Sequence, residues 1–60
     1  MATLREVREK MALSQADLGR AAGVRAATIT DIETGKRPPR PSTRRKLAKA
    51  LGIRPQDIDW

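Results

Sequence analysis

The chain has no cysteine and no histidine among its 60 residues. Without cysteine, no disulfide can brace the fold and no thiolate can hold a metal. Without histidine, both the commonest metal ligand and the commonest general base are missing. Seven carboxylates remain. A chain this short, however, buries only about 60% of its unfolded surface and builds one modest core, with little room for a pocket that would tune them. Catalysis, a cofactor and a metal centre are therefore not expected. Aromatic residues are reduced to one tryptophan, and nothing alternates over five residues, so no strand is predicted. No apolar run approaches the length of a membrane span, and residues 1–13 are too charged for a signal-peptide core. The expectation is a single soluble, cytoplasmic domain over residues 1–60 with no membrane partner.

What is abundant is positive charge, and it is concentrated. Residues 1–35 hold five basic and five acidic side chains, whereas residues 36–54 hold Lys36, Arg37, Arg40, Arg44, Arg45, Lys46, Lys49 and Arg54 with no acid between them. A block of one sign suggests an anionic partner. A solvated helix face that only aids solubility is the plainer alternative.

Helical spacing recurs along the chain. Thr3 and Glu6 have the spacing of a capping box ahead of the stripe Leu4, Val7, Arg8, Met11. Ser14 and Asp17 repeat the box before a short helix that is expected to bury Leu18, Ala21 and Ala22. Gly23 then stands where a left-handed C-terminal residue belongs. A third helix is predicted from about Arg25 to Thr34, ending at Gly35. Pro38, Pro39 and Pro41 make 36–40 an extended loop, because residues before proline avoid the helical region. A fourth helix runs from Pro41 or Ser42 to Leu51 and is closed by Gly52. Arg54-Pro55 opens a fifth, short helical turn, with Pro55 suited to its first position. The fold class that follows is all-α, a compact five-helix bundle. The tight Ala22-Gly23-Val24 link gives its second and third helices the look of a helix-turn-helix over 15–34.

Two charges break apolar stripes. Arg8 sits within the first stripe, and Glu33 extends the third-helix stripe of Ile29 and Ile32. An unpaired buried charge costs several kcal/mol, on the order of the whole stability of a small domain. One ion pair between Arg8 and Glu33 would remove both anomalies. Alternatively, Arg8 snorkels and Glu33 lies at the stripe edge.

The ordered set Ser14-Gln15-Ala16-Asp17-Leu18, Gly23-Val24, Thr28 to Pro39 and Lys46 to Ile53 resembles the phage repressor/Cro-like, XRE-type helix-turn-helix family across essentially the whole chain. The resemblance implies a lambda-repressor-like DNA-binding domain whose third helix enters the major groove of double-stranded DNA while the second lies across it. It implies a prokaryotic or phage-type, DNA-associated protein. It also implies a phosphate contact from Gln15 at the start of the second helix, and a backbone grip by the 35–39 loop that suits Lys36, Arg37 and Arg40. Thr28 joins these phosphate candidates. An Arg–Glu pair at the places of Arg8 and Glu33 is a further family trait. With Ile29 and Ile32 turned inward, a rotation of 100° per residue points Ala27, Thr30, Asp31 and Thr34 outward. Arg25 and Ala26 flank that face. The base-reading candidates are therefore Arg25, Ala26, Ala27, Thr30 and Asp31, with Thr34 too near the helix end.

Four positions depart from the family. Arg25 replaces a usual Ser or Thr cap and cannot accept a hydrogen bond. Ala26 and Ala27 offer only methyl contacts, and Asp31 sets negative charge on the outward face, where it suits a cytosine amino group or repels phosphate. Arg44 and Pro41 stand where apolar side chains are usual, thinning the core and thickening the basic face. Arg44, Arg45 and Lys49 divide between phosphate contact and solvation.

Two functions compete. The first is a sequence-specific transcriptional regulator of repressor type, a homodimer on a palindromic operator, since two half-sites would supply the specificity one helix lacks. The second is a protein-interaction module on the same fold, such as an antitoxin, favoured by Asp31 and the alanines. Ile58 and Trp60 either pack on a two-fold mate or, for Ile58, close the chain's own core.

Overall fold

The computed structural model describes residues 2–60. Four α-helices carry the fold: α1 (Leu4–Lys10), α2 (Gln15–Ala22), α3 (Ala26–Glu33) and α4 (Pro41–Leu51). The expected fifth helix is a single 3₁₀ turn, Pro55–Asp57. It stops there because Ile58 is extended, with φ −109° and ψ 139°, and pairs with the N-terminus. Strands β1 (Ala2–Thr3) and β2 (Ile58–Asp59) form a two-stranded parallel ladder, Ala2 opposite Ile58 and Thr3 opposite Asp59. The sequence carries no signal for this strand pair, because two residues are too few to show a period.

Both capping boxes form. Thr3 Oγ1 accepts the Glu6 N–H while the Glu6 carboxylate accepts the Thr3 N–H. Ser14 and Asp17 exchange the same bonds at 2.9 and 3.1 Å, so each helix start has orphan donors satisfied. Gly23 and Gly52 end α2 and α4, both at φ 71° in the left-handed region that a side chain would disfavour.

The core joins Leu4, Leu18, Ile29, Leu47, Leu51 and Ile58, with Val7, Leu13, Ile32, Ile53 and Trp60 packed around it. Each helix thus contributes its apolar stripe. Two expected core residues lie outside: Met11 is 47% exposed, because α1 ends at Lys10 and Ala12 turns the chain at φ 59°. Ala21 is also exposed, and Gly19 is buried on that helix instead. Gly19 faces the α2–α3 turn so closely that a Cβ there would stand 2.6 Å from the Val24 carbonyl oxygen. Glycine at this position lets the two helices cross at close range.

Candidate nucleic-acid interface

The frame of the site is a hydrogen-bonded chain running from α1 to the outer face of α3. Arg8 Nε donates to Glu33 Oε2 at 2.7 Å, and its Nη2 donates to Oε1 at 3.1 Å. Both side chains are almost fully buried. The third arm of Arg8, Nη1, donates to the Leu13 carbonyl at 2.8 Å, so the fork is satisfied in the geometry arginine favours. Burial pushes the Glu33 carboxyl upward, but hydrogen bonds from Arg8 and Gln15 outweigh it and hold the group below the usual carboxylate range. The bond to Glu33 raises Arg8 further above its ordinary value.

Gln15 extends the chain. Its Nε2 donates to Glu33 Oε1 at 3.1 Å, and its Oε1 accepts the Thr30 hydroxyl at 2.7 Å. Only one orientation of the amide serves both partners, so the side chain is oriented. One amide N–H remains unused, and the Thr30 hydroxyl has spent its only hydrogen and keeps acceptor capacity alone. Thr34 bonds back to the Thr30 carbonyl at 2.9 Å.

Most of the other expected contact residues fall into two surfaces. Thr28, Asp31, Arg37 and Arg40 line one groove between α3 and the proline loop, together with Ile32, Pro38, Pro39 and Thr43. The loop is held there because the Asp31 carbonyl accepts the Lys36 and Arg37 N–H groups at 2.9 and 3.3 Å. Arg25 and Ala26 border a separate concavity beside Ala16 and Arg20 at the α2–α3 turn. Ala27 and Lys36 are exposed outside both grooves. Arg25 is extended at φ −70°, ψ 144° and makes no side-chain cap, which leaves the Ala26 and Ala27 N–H groups of α3 without an intrahelical partner.

The charge is free. Among the described residues, ion pairs engage Arg5, Arg8, Arg20 and Arg54. Lys36, Arg37, Arg40, Arg44, Arg45, Lys46 and Lys49 take part in none. Arg44 and Arg45 lie away from the α3 groove, against Pro55 and Trp60.

A family model described as "Helix-turn-helix" matches residues 4–58. The chain belongs to this helix-turn-helix family. It is of the phage repressor/Cro-like, XRE type. The chain is also similar to the HTH-type transcriptional repressor RghR of Bacillus subtilis (strain 168), 49% identical over 51 residues. That match covers 83% of this chain and 38% of the relative, so the chain spans well under half of that protein's length.

Within this helix-turn-helix, sequence reasoning missed three participants. Gly19 could have been found, since a glycine inside a helix costs about 0.5–1 kcal/mol against alanine and needs a packing reason. Thr43, in the groove with Thr28 and Arg37, carries no distinguishing signal. The Gln15–Thr30 bond has none either, because it depends on the angle between α2 and α3.

Proposed function

We propose that this helix-turn-helix binds double-stranded DNA in a sequence-specific way and acts as a transcriptional regulator of repressor type. The observation that carries the proposal is the basic set Lys36, Arg37 and Arg40, in no ion pair among the described residues, together with exposed Arg25, Ala26 and Ala27 at the start of α3. α3 enters the major groove, and α2 lies across it. Phosphates are met by Lys36, Arg37, Arg40 and Thr28, and by the free amide N–H of Gln15 at the α2 start, where the helix dipole favours an anion. Bases are read by Arg25, which can bond guanine O6 and N7 together, by methyl contacts from Ala26 and Ala27, and by Thr30 and Asp31 as acceptors. Thr30 can accept from a cytosine or adenine amino group but has no hydrogen to give.

Two copies on half-sites about one helical turn apart supply the specificity that two alanines forgo. Ile58 is 2% exposed in the chain's own core, so a two-fold contact does not use it. RghR is a transcriptional repressor by name, which supports the regulatory part of the reading. The Asp31 carboxylate, which lines the groove and is in no ion pair among the described residues, favours one other reading, a protein-interaction module of antitoxin type. Selection of bound sites from a random duplex pool tests the proposal. Enrichment of a palindrome with a guanine in each half is the expected result, and an unenriched pool would reject it.

A further inference from the structure

A second groove, formed by the start of α4 and the C-terminal turn, takes no part in the DNA reading. Arg44 and Arg45 form its basic side, and Pro41, Pro55 and Trp60 form its apolar side, with Gln56 at the edge. Among the described residues, no Asp or Glu side chain lines it. Arg44 is half-buried and, among the described residues, neither arginine has an ion-pair partner, so two guanidiniums stand with their donors open to solvent. The indole N–H of Trp60 donates to the Pro55 carbonyl at 2.8 Å, which sets the ring against the groove. An aromatic wall beside two cations offers an occupant apolar and charged contacts together.

We propose that this groove docks an acidic, extended segment of a partner protein, with an apolar side chain against Trp60 and carboxylates on Arg44 and Arg45. Charge complementarity selects acid. The apolar wall favours a peptide side chain over a DNA duplex, whose bases are stacked on one another and present mainly phosphate and sugar at the surface. A second copy of this chain fits less well. One of its own surfaces that combine acid and apolar groups is on α1, at Glu6, Val7 and Glu9, and Lys10 there would meet the arginines with like charge. A contact between that surface and this groove would join two different patches, so it would have to close as a ring or reciprocal pair or else run on as a filament.

The test uses the whole 60-residue chain and a labelled synthetic peptide of alternating glutamate and leucine at physiological ionic strength. Trp60 is the chain's one tryptophan, so its emission reports occupancy while anisotropy of the label reports affinity. Saturable binding with a shift in Trp60 emission is expected. Arg45→Gln, an exposed change that leaves the packing alone, should weaken it about tenfold, and Arg44→Gln/Arg45→Gln further. Lys10→Gln, the same loss of charge elsewhere, should leave it within about twofold. Several outcomes would overturn the proposal. These are equal binding of polyglutamate, no emission change, and an Arg45→Gln chain that binds like the parent. Displacement of the peptide by a short DNA duplex would give the groove to phosphate. Concentration-dependent self-association abolished by Arg45→Gln would give it to a second copy.

Discussion

The Thr30 hydroxyl donates to the Gln15 side-chain oxygen at 2.7 Å, joining the first residue of α2 to the middle of α3. The bond fixes the helix that faces DNA in the proposed reading against the helix that crosses it. Thr30→Val keeps the shape and removes the donor, and should cost about 1 kcal/mol, as a hydrogen bond of this kind contributes. A double-mutant cycle with Gln15→Ala measures the link directly. A coupling energy of about 0.5–1.5 kcal/mol is expected from chemical denaturation, and additivity would mean the bond contributes nothing in solution.

Arg8→Ala and Glu33→Ala should each cost about 3–5 kcal/mol, because either leaves a buried charge without its partner. Arg8→Ala additionally strips the Leu13 carbonyl of its donor. Removing both partners should cost clearly less than the sum of the single changes. Thermal melts of the three variants decide this, and parent-like melting of the single variants would show that the pair is not worth its burial.

The same pair sets a pH response. The folded Glu33 lies below its unfolded value, so its contribution is fully present above the ordinary glutamate pKa of about 4.3 and is lost as pH falls through the lower, folded value. Arg8, raised further, stays charged throughout. Stability should therefore be flat near neutrality and fall in acid. In Glu33→Gln the acid slope of denaturant midpoints should be shallower, and an unchanged slope would place the acid sensitivity in other carboxylates.

Gly19→Ala adds one methyl group facing the Val24 carbonyl at 2.6 Å. Backbone cannot swing aside as a side chain can, so the α2–α3 turn must open. A loss of about 1–3 kcal/mol is expected, against the gain in helix propensity that alanine would otherwise bring. Melting temperature alone reads the sign.

Arg25 and Arg37 should separate by kind on DNA. Arg25→Ala should relax preference at one guanine per half-site, by about 1–3 kcal/mol of discrimination. Arg37→Ala should weaken all sequences alike and reduce the slope of log affinity against log salt by about 0.9, the loss of one phosphate contact. Binding to single-base operator variants across a salt series distinguishes them, and a uniform loss for Arg25→Ala would make it a phosphate contact too.

Much of this fold is written locally. Thr3 with Glu6, Ser14 with Asp17, Gly23 and Gly52 mark helix ends within a few residues of chain, and the structure places those ends within a residue of the expected bounds. Arg8 and Glu33 stand out because each interrupts an apolar stripe. Features set by the meeting of distant segments left no such mark. Nothing near Ile58 announces a strand, since its partner is Ala2. Met11 continues a stripe that its helix does not live to use. Gln15 reads as a surface residue ready for phosphate until the angle between α2 and α3 brings Thr30 and Glu33 to it. The proposed interface was legible in its charges and obscure in its internal bonds for that same reason.

The pairing of Ala2 with Ile58 closes a loop that contains nearly the whole chain. Loop-closure entropy makes such a contact the last to be repaid as the chain orders, and the first to be released when it breathes. Ile58 belongs to both the pairing and the core cluster that includes Leu4, so opening the ladder also uncovers the end of the core. Slow hydrogen exchange should therefore gather in α2 and the middle of α4, while the amides of residues 2–3 and 58–60 exchange through local fraying. A link that held the two ends together would stabilise the domain without touching α3.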